Sequence, residues 1–310
     1  MNEIQKIQSQ IDAVAEMLSQ HENLLAKEPD NFSHTLGISS LKAQLSELEK
    51  QLMHEKAKRD KEVIEIRLKG RTANGTIPLE VLAKLADGLS GTVLNASYFI
   101  QFGQKIKKIK AKEIHDIVDL RLAGISTGST RLFVTANTSP DLFGRSLAEE
   151  SLYHSFNLLL SESPDELTES ASKIGKESVK KLYKFITSIS NAEMEVDLNW
   201  SSPASENYNW VGNKQTLLRV AQSLTNIQMS EPEIVEFSGE LITISLRGTF
   251  EIESDDKRIF KGSFPNNIID EIKTLTIGSN YVGKLEMRTI INLATESEKI
   301  YYTLLSIKHI

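Results

Sequence analysis

The chain has 310 residues, with 40% hydrophobic and 25% charged residues and a net charge of -6, the balance of an ordinary soluble globular protein long enough for two domains and an added arm. It has no cysteine, which excludes disulfides, thiolate nucleophiles, iron–sulfur clusters and every zinc site built on sulfur. The acidic balance argues against a protein that coats nucleic acid through global charge, and local basic faces remain open.

The opening segment MNEIQKIQSQIDAVAEMLSQ lacks a cationic start followed by an apolar block, and no apolar run reaches bilayer length, so a cytoplasmic location without membrane contact is expected. Ile4, Ile7, Ile11, Val14, Leu18, His21 and Leu25 recur at alternating steps of three and four, the seam of a heptad repeat. The turn formers Pro29, Asp30, Asn31 and Gly37 interrupt it, and Leu41, Leu45, Leu48 and Leu52 resume it. Two helices joined by a loop predict a coiled-coil hairpin over 1–60. Seams of about three heptads are marginal alone, so Ile4, Ile7, Ile11, Val14, Leu18, Leu25, Leu41, Leu45, Leu48 and Leu52 are the candidate partner or oligomer seam. The alternatives at this point are a self-contained hairpin and an intermolecular coil.

At Ile64, Ile66 and Leu68 the period drops to two, with Glu65 and Arg67 between, which predicts a half-buried strand. Gly70 through Gly75 read as a turn, and Pro78 suits the first turn of a helix carried by Leu79, Leu82, Leu85, Leu89, Val93, Ala96 and Ile100. Two alternating runs, Val118–Ala123 and Thr130–Ala136, follow a lysine-rich stretch and predict a hairpin around the loop 124–129. Helices are expected over Leu147–Leu160, Glu166–Ser188 and Lys214–Ile227, a strand over Met194–Trp200, and a surface loop over Ser201–Asn209. From about Glu231 the chain turns almost wholly to strand patterns with one short helix near Pro265–Leu275, which predicts a small SH3- or OB-like β-barrel. The expected fold class is therefore α+β: a coiled-coil helical hairpin (1–60), an α+β domain (61–230) and a β-barrel (231–310).

Few motifs point to chemistry. Gly124-Ile125-Ser126-Thr127-Gly128 satisfies G-x-S-x-G, but that motif needs a strand turning into a helix, and Arg131–Thr135 downstream has a strand pattern. Neither a P-loop nor a G-x-G-x-x-G fingerprint occurs, and no histidine pair has metal-ligand spacing. The acidic clusters lack calcium-loop spacing. No catalytic residue, cofactor or metal is expected. The best electrostatic feature is Lys105, Lys107, Lys108, Lys110 and Lys112, interleaved with Ile106 and Ile109, a candidate nucleic-acid contact. A second lysine set, Lys173, Lys176, Lys180, Lys181 and Lys184, lies on one predicted helix. Trp200, Tyr208 and Trp210 flank the polar loop, either as an exposed partner anchor or as the lid of a core.

Three passages, Ile77–Leu85, Ile117–Val134 and Gly248–Leu285, carry apolar-and-glycine patterns over about half the chain. In the last, Phe250-Glu251-Ile252, Ile259–Phe264 and Gly278–Gly283 mark the terminal barrel. In these patterns the chain resembles uncharacterised bacterial proteins of mobile and antiviral-defence islands. That resemblance implies a bacterial accessory protein that works with a partner in phage defence. The expected function is a non-enzymatic, self-associating interaction or adaptor subunit, a homo-oligomer or a member of a complex. A nucleic-acid sensor using the lysine faces is the alternative, and an unrecognised hydrolase stands third.

Overall fold

The computed structural model describes residues 3–27, 31–57, 61–70, 73, 76–104, 108–126, 130–138, 146–203, 207–245 and 248–309. Two helices, α1 (Glu3–Lys27) and α2 (Phe32–Ala57), pack along the expected seam. Gly37 departs from its expected role as a turn former: it lies inside α2, and a Cβ there would come within 3.0 Å of the His21 ring. The absent side chain lets the two helices approach at this level, and the His21 and His34 rings meet edge-to-face at 5.5 Å.

The first sheet has the strand order β2-β3-β1-β4-β5, with β1 (Lys61–Lys69) at its centre and every pairing antiparallel. The other strands are β2 (Arg121–Ser126), β3 (Thr130–Asn137), β4 (Glu195–Ser201) and β5 (Asn207–Gly212). Ile64, Ile66 and Leu68 turn toward a helical layer of α3 (Leu79–Phe102), α5 (Leu147–Leu160) and α6 (Pro164–Asn191). Helices α3 and α6 cross closely: a Cβ on Gly88 would fall 2.9 Å from the Phe185 Cα. Ser146 with Glu149, and Ser163 with Glu166, form capping boxes that start α5 and α6. Helix α6 breaks at Gly175 (φ 75, ψ 163), a backbone state closed to most L-residues, where Phe99 leaves no room for a Cβ.

Several expected boundaries move. Part of the lysine-rich stretch is helical, as α4 (Lys108–Val118), so the strand expected from Val118 begins at Arg121. The expected loop 124–129 is strand up to Ser126, and residues 127–129 lie outside the described set. The expected loop Ser201–Asn209 holds the start of β5, in which Tyr208 and Trp210 face the core while Asn207 and Asn209 face outward. The alternation is present in the sequence, but asparagine is poor in strands and masks it.

After α7 (Lys214–Thr225) a second sheet begins at β6 (Ile227–Met229), ahead of the expected boundary at 231. It contains β7 (Glu233–Ser245), β8 (Thr249–Ser254), β9 (Ile259–Ser263), β10 (Asn280–Asn292) and β11 (Ser297–His309). The order is β11-β9-β8-β7-β10-β6, with an additional β10–β11 pairing. Phe237, Leu241, Phe250, Ile252, Leu285 and Leu304 form its core. A turn of 3-10 helix (Asn266–Ile268) and α8 (Ile269–Ile272) replace the single longer helix expected there. Met229 and Ile290 join the first core, and Lys176–Glu231 (3.0 Å) and Lys299–Asp165 (2.7 Å) link the two sheets through α6. Among the described residues no helix is long and apolar enough to cross a membrane.

Candidate functional site

The hairpin is built in two different ways along its length. Ile4, Ile7, Ile11, Val14 and Leu52 are buried, Ile11 completely. They close over the face of the first sheet opposite the helical layer, with α1 against β2 and α2 against β4. Beneath this base lie Val63, Glu65, Arg131 and Phe133, all less than a tenth exposed. The expected solvent-facing side of β1 is therefore covered at Glu65, and Lys61, Arg67 and Lys69 are half-buried. Because burial makes an unpaired charge costly, Glu65 is matched by Arg131 (3.3 Å) and accepts from the Asn199 side chain (3.4 Å). Lys69 pairs with Asp197 at 2.5 Å beside them.

Farther out, the burial ends. From Ala15 to Lys27, and from Asn31 to Gln51, no residue of described burial is buried. Leu18, Leu25 and Leu41 are half-buried in the two-helix seam, whereas Leu45 and Leu48, also half-buried, pack against the base cluster of Ile4, Ile7, Ile11 and Leu52. The distal arm thus projects about 20 Å beyond Val14, at 1.5 Å per residue. It carries exposed apolar side chains that the seam does not use: Met17, Leu24, Phe32 (76% exposed) and Leu36 (60%). Phe32 and Leu36 are four residues apart and share one helix face. Sequence periodicity marked the seam itself, which the hairpin consumes internally. It passed over Phe32 and Leu36 because they stand off the heptad positions.

Of the lysine stretch, Lys105 and Lys107 lie outside the described residues, and of Lys108 only the backbone is described. Lys110 and Lys112 are exposed on α4, and the Lys110 ammonium lies 4.3 Å from the centre of the Phe102 ring. The α6 lysines are largely committed: Lys176 to Glu231, Lys180 to Glu177 (2.8 Å) and Lys181 to Asp87 (2.6 Å). Trp200 and Trp210 are buried, and Trp200 stacks on Tyr208 (5.0 Å, 14°) and donates to Glu62 at 2.8 Å. These aromatics are the lid of the core.

A cleft of about 240 Å³ opens where the Gly175 break of α6 meets α3 and the second sheet. Phe99 forms its floor, with the Arg288 guanidinium 4.8 Å from the ring centre. Its charges are matched close at hand: Arg288 by Glu286 (2.5 Å), Lys176 by Glu231 and Glu177 by Lys180. Nearby, the Asp165 bond holds the Lys299 ammonium above its ordinary pKa, and burial raises the Tyr301 phenol. Charges already neutralised in this way mark a joint between two layers more than a receptor for an ionic ligand. No group of three or more His, Asp or Glu placed to hold a metal occurs among the described residues.

No family model, curated protein or solved structure matches this chain.

Proposed function

We propose that this chain is a non-enzymatic interaction subunit that self-associates and holds a protein partner on its projecting helical arm. The supporting observation is the apolar pair Phe32 and Leu36, exposed at the far end of an arm whose own seam is already filled. An exposed phenylalanine on a rigid helix is an efficient anchor, because it buries a large area while losing few rotamers. In this reading the second sheet is a small barrel, supported by the circular sequence of its strand pairings from β7 through β8, β9, β11 and β10 back to β7. The resemblance to defence-island proteins supports a bacterial, antiphage setting, and the cysteine-free composition fits a cytoplasmic location. Nucleic-acid binding has weaker support, since three of the five α6 lysines are spent on carboxylates.

The test is light scattering on the full chain across a wide concentration range, followed by affinity capture with wild type and with Phe32→Ser/Leu36→Ser. A concentration-dependent oligomer is expected, and one co-purifying protein that the double variant loses. A monomer at every concentration, with identical captures for the two chains, would sink the proposal.

A further inference from the structure

His21 and His34 stand on different helices of the arm, too far apart in sequence for any metal-ligand spacing, and the hairpin brings their rings together edge to face. Ring packing accounts for that contact but not for the ring nitrogens. The Nδ1 atoms of both histidines are buried, and neither has a hydrogen-bond partner. Leu18 and Leu25, which flank His21 along the seam, have no polar side-chain atom to offer. Glu22, the next residue in sequence, is held by Lys42 (3.1 Å). Space is left at the same level by Gly37, where a Cβ would come within 3.0 Å of both Nδ1 and Cε1 of His21. A buried polar atom without a partner is rare enough to need a reason, and two of them on facing rings call for a shared one.

We propose that His21 and His34 bind one divalent transition-metal ion of the zinc, nickel or copper class through their Nδ1 atoms, as a clasp between α1 and α2 toward the tip of the arm. The donor atoms select the class: imidazole nitrogen suits these ions, whereas magnesium and calcium prefer oxygen. The separation fits as well. Two imidazoles sharing one tetrahedral ion at about 2.0–2.1 Å from each nitrogen have ring centres about 5 Å apart, and here the centres are 5.5 Å apart. Two protein donors leave the remaining positions to water, so binding is weaker than at a closed four-ligand site. Entry needs only a small opening of the tip, because both rings are half-buried in a seam between two helices. His34 lies between Phe32 and Leu36 in α2 and turns into the seam, while those two turn outward. An ion on His34 would therefore fix the first turns of α2, and with them the exposed pair, at a level where burial does not. The site stands whether or not Phe32 and Leu36 hold a partner.

Zinc titrated calorimetrically into the untagged full chain should bind at one ion per chain, and magnesium should not compete with it. His21→Phe and His34→Phe each keep a ring in the seam and remove its nitrogens. Each should weaken zinc binding by more than the about tenfold that loss of a ligand's outer partner costs. His115→Phe, at an exposed histidine on α4, should leave the affinity unaltered. Zinc at about ten times its dissociation constant should also slow amide exchange around His21 and His34 by about tenfold, because an ion that binds only the closed tip suppresses its opening in proportion. The same amides should not respond to zinc in either Phe variant. Absent binding, binding that both Phe variants retain, or one ion per two chains would each overturn the clasp; the second would mark an adventitious surface ligand, and the third a bridge between copies.

Discussion

The base and the tip of the helical arm share one sequence pattern and differ in nearly everything else. At the base, Ile4, Ile7, Ile11 and Leu52 are buried between two helices and a sheet, so that Ile11 has no exposed surface. Toward the tip, Leu18, Leu25 and Leu41 occupy equivalent seam positions, yet each stays half-exposed because only one helix faces them. A heptad seam therefore specifies which side chains meet, and the surroundings decide how much stability the meeting yields. The base acts as an anchor, and the tip is left to present what the seam does not need.

The strongest way to break this comparison lies under the base. Glu65→Ala would break the buried Glu65–Arg131 ion pair by removing one of its two partners, and a loss of about 3–5 kcal/mol is expected by denaturant titration. A cost below about 1 kcal/mol would mean that the arm does not cover this face. Next in size is Ile11→Ala, which opens a cavity where three elements meet; about 2–4 kcal/mol is expected. Its counterpart on the same seam, Leu25→Ala, should cost about 1 kcal/mol or less, since partial burial leaves less to lose. Equal costs for Ile11→Ala and Leu25→Ala would erase the distinction between anchor and presenter.

Local pattern was enough for the seam, for the alternation of Ile64, Ile66 and Leu68, and for the helix over Leu147–Leu160, whose observed bounds coincide with those expected. What escaped depends on contacts distant in sequence. Glu65 reads as a solvent-facing strand residue, and only the arm folding back onto that face buries it. Gly37 reads as a breaker until His21, on the other helix, occupies the space a side chain would need. Strand β5 was hidden by its asparagines, which weaken strand propensity while preserving alternation. The candidate site was legible in part. The seam residues were identified by spacing, but Phe32 and Leu36 gained meaning only when that spacing placed them on the opposite side of α2. Likewise, lysine number on α6 did not disclose that Glu231, Glu177 and Asp87 would claim three of those charges.

The smallest expected effect on stability is the most informative about purpose. Phe32→Ser/Leu36→Ser removes two large apolar groups, which in a core would cost several kcal/mol. Here both side chains face solvent, so unfolding should change by no more than about 0.5 kcal/mol. Amide exchange would locate the difference: the tip should open with a free energy well below that of global unfolding, while Ile7 to Val14 should exchange near the global limit. Apolar surface that contributes nothing to the fold has no stability reason to be there. If the double variant instead unfolds several kcal/mol more easily, Phe32 and Leu36 are part of the fold, and the tip is a second anchor and not a surface held out for a partner.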